Sequence, residues 1–195
     1  MLQVFAKLEL ANFHGTKLVE VGCGTGGNLL EFLRLGFQPE NLTGIELLEE
    51  RAARASKVLP QGIVRVGDAA SADIPLASQD VVFQSVVFSS LLDDAFQEML
   101  ANKMWSWLKP GGGVLWYDFT YNNPRNPDVR GVPVRRVRAL FPLGLFTVRR
   151  VTLAPPIARR VCRIHPGLYS VFNALLFLRT HVLCWIRKPI AQTGT

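Results

Sequence analysis

The sequence predicts one α/β domain in which a mainly parallel sheet is covered by helices on both faces. Three observations carry that expectation. Short apolar runs alternate with segments of helical periodicity, a glycine-rich turn joins the first run to the first helix, and carboxylates stand at the ends of the next two strands. With 195 residues and 49% hydrophobic content, the chain can bury one core but not two, so residues 1–195 are expected to form a single domain.

Lys17 to Gly22 reads as a short buried strand, apolar at Leu18, Val19 and Val21. Glycines follow at once, then Leu29, Leu30, Phe32 and Leu33 at helical spacing, and Gly36 stands where a left-handed cap ends a helix. Leu42 to Glu46 forms the second strand and Leu48 to Leu59 the next helix. Ile63 to Gly67 is a third strand ending at Asp68, and Asp80 to Ser85 a fourth; the loop between them contains Pro75 and little helix. Leu92, Phe96, Met99, Leu100 and Trp107 recur at helical intervals, which predicts a long amphipathic helix running to a Lys109-Pro110-Gly111-Gly112 turn. Val114 to Phe119 is the fifth strand, and the Asn- and Pro-rich segment from Asn122 to Arg130 is a loop. A short basic helix over Val134 to Phe141, a strand over Phe146 to Leu153, a helical pair across Pro155 to Leu178 and a strand over His181 to Arg187 complete the pattern.

Charge divides the chain. Residues 1–124 carry 9 Lys+Arg against 14 Asp+Glu, whereas residues 125–195 carry 13 against one, Asp128. The acidic half holds the glycine turn and is expected to bind the cofactor. The basic half is expected to meet the acceptor, which an anionic group or a membrane surface would suit as well as solvent would. The stretch from Leu168 to Leu178 is broken by Ser170 and Asn173, and falls short of the roughly 20 residues a bilayer span needs. No secretion signal opens the chain, so a cytoplasmic location is expected. Cys23, Cys162 and Cys184 are odd in number and lack Cys-x-x-Cys spacing, which argues against both a disulfide framework and a zinc site.

The segment Val19-Glu20-Val21-Gly22-Cys23-Gly24-Thr25-Gly26-Gly27 carries the most chemistry. Glycines after a strand let the backbone turn tightly and approach a ligand more closely than side chains allow. Gly22, Gly24 and Gly27 also satisfy G-x-G-x-x-G, a pattern that suits nicotinamide and flavin enzymes equally. Glu46, ending the second strand, can accept both hydroxyls of a ribose, and Asp68, ending the third, stands beside where an adenine would lie.

Glu20-Val21-Gly22-Cys23-Gly24-Thr25-Gly26, then Gly44-Ile45-Glu46, Gly67-Asp68-Ala69, Asp80-Val81-Val82 and Leu108-Lys109-Pro110-Gly111-Gly112 resemble, in order and in spacing, the class I S-adenosylmethionine-dependent methyltransferases of the type-11 kind. The resemblance spans roughly residues 17–188. It implies a Rossmann-like sheet of seven strands whose last strand runs antiparallel beside the fifth. Carried over by position, Glu20, Gly22 and Gly24 would cradle the methionine part of the cofactor, with Cys23 and Gly26 also expected to bind the cofactor. Glu46 would take the ribose, Asp68 and Ala69 the adenine, Gln84 and Ser85 would flank the sulfonium, and Leu47 is expected among the cofactor contacts. The segments Trp116-Tyr117-Asp118-Phe119, Tyr121 to Pro127 and Arg179-Thr180-His181 are similar to a bacterial subgroup associated with polysaccharide and secondary-metabolite pathways, which implies O-methylation of a glycan or related small metabolite.

A hydroxyl attacks a methyl group well only if its proton is removed as attack proceeds. The loop after the fourth strand offers Val86, Ser89 and Ser90, none of them a base. Asp118, at the end of the fifth strand, and His181, at the start of an antiparallel one, are therefore the expected catalytic pair, with Tyr117, Tyr121, Asn122 and Arg125 as acceptor contacts. The alternatives are a nucleic-acid methyltransferase, disfavoured because the Asn/Asp-Pro-Pro-Phe/Tyr signature of base-amino methylation is absent, and a cofactor-binding protein without activity.

Overall fold

The computed structural model describes residues 13–59, 62–124 and 126–190. Seven strands form one sheet: β1 (Leu18–Val21), β2 (Leu42–Glu46), β3 (Ile63–Val66), β4 (Gln79–Ser85), β5 (Leu108–Phe119), β6 (Leu145–Leu153) and β7 (Arg179–Arg187). Their order is β3-β2-β1-β4-β5-β7-β6. The first five run parallel, and β7 lies antiparallel between β5 and β6. The helices are α1 (Gly27–Arg34), α2 (Glu49–Val58), α3 (Asp94–Trp107), α4 (Val134–Leu140), α5 (Pro155–Ile164) and α6 (Leu168–Ala174). This is the expected sheet, with its last strand in the expected place. β5 starts earlier than expected, because Leu108 already pairs with Gln79 before a register shift carries the strand past Lys109-Pro110-Gly111-Gly112.

Side-chain alternation divides the core between the two faces. Val82, Val114 and Trp116 point to the side of α3 and α4, where they join Leu100, Met104, Trp107, Val137 and Leu140. Val81, Phe83 and Leu115 point to the other side, with Leu29 and Phe32 of α1 and Ala55 of α2. Central strands covered on both faces are mostly apolar, and β1 is buried throughout with Glu20 as its one polar residue. Asp93 begins α3 by accepting hydrogen bonds from the amides of Ala95 and Phe96, a cap that stabilises by about 1 kcal/mol. Among the described residues no helix is long and apolar enough to cross a membrane.

Candidate active site

Parallel order brings the ends of β1, β2, β3, β4 and β5 to one edge, and the glycine loop folds over it. Gly22, Gly24 and Gly26 have φ of 68°, 56° and 85°, in the left-handed region that side chains disfavour. At Gly22 a Cβ would lie 2.6 Å from Val87 Cγ2, so the loop can pass the β4 turn only as glycine. Above Gly24 no atom of the described residues stands within 4 Å of that position, which leaves its backbone open to a ligand. Cys23 faces inward, where a Cβ on Gly44 would meet its Sγ at 2.6 Å. Burial pushes the Cys23 thiol up to about 12, so it stays protonated and serves packing.

Two carboxylates frame the loop. Glu46 is nearly buried and accepts hydrogen bonds from the amide of Gly24 (2.8 Å) and, through its other oxygen, from the amide of Leu48 (3.0 Å). Each oxygen keeps a lone pair for a second donor. Glu20 is fully buried; its Oε1 accepts from Asn28 Nδ2 at 2.7 Å, and its Oε2 has no partner among the described residues. Burial pushes the Glu20 carboxyl up to about 8; the Asn28 bond opposes this and the Glu46 charge adds to it. A buried carboxyl oxygen without a donor is costly alone and suits a ligand cation or N–H. Asn28 joins this cluster through its bond to Glu20, a contact the sequence reading did not single out, although its place in the first turn after the glycines was a usable signal.

The remaining expected cofactor residues lie along the same edge. Leu47 is exposed beside Glu46 and offers an apolar surface. Asp68 accepts from the amide of Ala70 at 2.9 Å and so caps the turn over Ala69–Ser71, while Ala69 is buried beneath it. Gln84 is fully buried, donating to the Tyr117 carbonyl (3.3 Å) and accepting from the Val87 amide (3.1 Å). Its side chain shapes the turn after β4, and Ser85 is half-buried next to it. Within that turn Val86 holds φ of 59°, a strained conformation for a β-branched residue.

The acceptor rim differs from expectation in one respect. Asp118 and His181 do not meet. In the β5–β7 ladder Phe119 pairs with His181 and Asp118 with Val182, so this one-residue offset puts the two side chains on opposite faces of the sheet. Asp118 is fully buried on the Trp116 side, where it accepts from the amides of Ser89 (3.2 Å) and Phe119 (2.9 Å). Burial raises its carboxyl to about 6 against those bonds. His181 is half-buried on the other side, stacked on Tyr117 at 5.2 Å between ring centroids, with Nδ1 3.1 Å from Thr180 Oγ1. Burial lowers the His181 pKa.

Tyr117 hydrogen-bonds Thr152 through its hydroxyl at 2.9 Å, and Thr152 itself has a positive φ of 59°. The exposed Tyr121 accepts from Arg150 at 3.1 Å, and Asn122 accepts from the Gly131 amide at 2.9 Å. Arg125 lies outside the described residues. A cavity of about 450 Å³ opens beside Thr120, Tyr121 and Asn122, walled by Gln97, Arg130 and Arg136. Both arginines are already engaged, Arg130 with Asp94 and Arg136 with Gln97 and Glu98.

Residues 18–112 match the family described as a methyltransferase domain. A 2-methyl-6-phytyl-1,4-hydroquinone methyltransferase from Synechocystis is 30% identical over 115 residues, 57% of this chain; the chain spans about a third of that protein (34%). An S-adenosylmethionine-dependent methyltransferase from Archaeoglobus fulgidus superposes with a TM-score of 0.68 at 16% identity, over 95% of this chain and 93% of its own. Phosphoethanolamine N-methyltransferase 2 from Haemonchus contortus, solved with S-adenosyl-L-methionine, gives a TM-score of 0.68 at 18% identity, over 96% of this chain and 52% of its own. The match to the methyltransferase-domain family thus runs from β1 to the start of β5 and takes in the glycine loop, and the whole sheet shares its fold with solved S-adenosylmethionine-dependent methyltransferases.

Proposed function

We propose that the chain transfers a methyl group from S-adenosylmethionine to a hydroxyl of a small-molecule or glycan acceptor. The observation that carries the cofactor half of this reading is the unpartnered Oε2 of the buried Glu20 beside the open backbone of Gly24. That pair fits an amino-acid ammonium lying over a glycine turn, and the free lone pairs of Glu46 fit ribose hydroxyls. Leu47, Asp68 and Ala69 flank the place of the base. Gln84 acts here by holding the β4 turn, with Ser85 beside it. When bound, the cofactor supplies an activated methyl group, and the protein supplies alignment.

On the acceptor side the reading rests on His181. Burial lowers its pKa and keeps the imidazole neutral at pH 7, free to take a proton from a hydroxyl. Tyr117, stacked on the ring and anchored to Thr152, fixes its plane. Asp118 acts as a positioning residue by holding the Ser89 amide, and Tyr121, Asn122 and Arg125 are the proposed acceptor contacts. Calorimetry should show S-adenosylhomocysteine binding more tightly than a nicotinamide dinucleotide. Incubation with S-adenosylmethionine and candidate glycans should add one methylene mass to an acceptor oxygen. Tighter dinucleotide binding would overturn the cofactor assignment, and methylation confined to nitrogen or carbon would overturn the acceptor assignment.

A further inference from the structure

The hairpin of α5 and α6 leaves the sheet at the same edge as the candidate active site. β6 ends there and β7 begins there, with Leu153 paired to Arg179 and the Ala154 amide bonded to the Leu178 carbonyl at 2.9 Å. Two features of the hairpin have no use within the fold. Val161 is the one buried side chain described on the two helices, while Ile164 and Phe177 are 78% and 75% exposed, and Val171, Leu175 and Leu176 are exposed as well. Arg159, Arg160 and Arg163, also exposed, fall within an arc of about 100° on α5 that faces away from Val161. Residues 129–190 contain 12 Lys+Arg and no Asp or Glu, and of these the three α5 arginines are exposed.

We propose that this hairpin docks on an anionic phospholipid surface. The two features together select the partner. The exposed apolar side chains need a dry phase, which a nucleic acid does not offer, whereas the arginines need fixed anions, which a purely apolar partner does not offer. A second copy would bring the same uncompensated arginines against themselves. The boundary of an anionic leaflet supplies acyl chain for Ile164, Leu176 and Phe177 and phosphate for Arg159, Arg160 and Arg163. Docking there would turn the site edge toward the bilayer, so that an acceptor carried in the membrane reaches the methyl donor. That last step rests on the methyltransferase reading; the docking itself does not.

The test is co-sedimentation of the full chain with vesicles of phosphatidylcholine alone or mixed with phosphatidylglycerol, with neither cofactor nor acceptor present. The chain should sediment with the mixed vesicles, stay in solution with the neutral ones, and be released by salt. Arg159→Gln with Arg160→Gln and Arg163→Gln should lower partitioning about 100-fold, from about fivefold per arginine. Leu176→Ser with Phe177→Ser should lower it at least about tenfold, with the melting temperature unchanged because both side chains are exposed. Absence of binding to mixed vesicles, or wild-type partitioning by the serine variant, would overturn the proposal. So would a dimer in sedimentation velocity that the serine variant dissociates, since the patch would then be the contact between copies.

Discussion

Glu20 should make cofactor binding depend on pH in a way that identifies it. Its carboxyl, ordinarily near 4.5, is pushed by burial to about 8, so at pH 7 about one molecule in ten carries the charge. An ammonium seated against Oε2 favours the ionised form, and binding below pH 8 therefore releases a proton. Each pH unit below 8 then costs about tenfold in affinity, or about 1.4 kcal/mol. Above pH 8 the ligand's own amino group, with a pKa of about 7.7–8.0, loses its proton and affinity falls again. Calorimetric titration with S-adenosylhomocysteine from about pH 6 to pH 9 should give a bell centred near pH 8. Glu20→Gln should bind more weakly at the maximum and show no acid limb. A wild-type Kd that stays within about twofold from pH 6 to pH 8 would refute the reasoning, as would an acid limb that survives in Glu20→Gln.

Glu46→Ala should weaken S-adenosylhomocysteine binding by about 1–3 kcal/mol in the same titration, since it removes ribose acceptors and frees the Gly24 and Leu48 amides together. His181→Ala should lower turnover by about 100-fold with cofactor affinity preserved, and its effect should add to that of Asp118→Asn in the double variant, because the two side chains lie on opposite faces. Stability of the cofactor-free chain should fall with rising pH: a carboxyl whose pKa is raised on folding stabilises fully below its unfolded value and loses that contribution as pH passes its folded value. For Asp118 the rise from 3.8 to about 6 corresponds to on the order of 3 kcal/mol, so thermal melts of Asp118→Asn should lack the part of the decline between about pH 4 and pH 6.

Much of this fold was legible because period and punctuation are local. Apolar runs gave the strands, glycines gave the turns, and five motifs in register gave their order. Register was not local. That Phe119 rather than Asp118 opposes His181 depends on how the hairpin from β6 to β7 seats on β5, and a shift of one residue reverses the face of every side chain. That the glycines and the strand-end carboxylates share one edge was legible for a similar reason, since both are placed by the chain itself. What the sequence hid was occupancy: that Gln84 is taken up by Tyr117 and Val87, that Asp68 spends an oxygen on Ala70, and that Glu20 keeps one oxygen free. These depend on neighbours far apart in the chain, which no spacing rule reaches.

The insertion of β7 between β5 and β6 has a consequence for biogenesis. During synthesis the first five strands can pair as they emerge, each with a neighbour already made, but β5 must wait with one edge bare until residues 179–187 arrive. Through that interval its unpaired amides and carbonyls, and the apolar residues Val114, Leu115 and Trp116 that β7 would flank, are open to any other extended segment nearby. The strand that closes the sheet is thus also its safeguard. Slow elongation through the basic segment that precedes β7 would lengthen the period in which nascent chains can pair with one another instead.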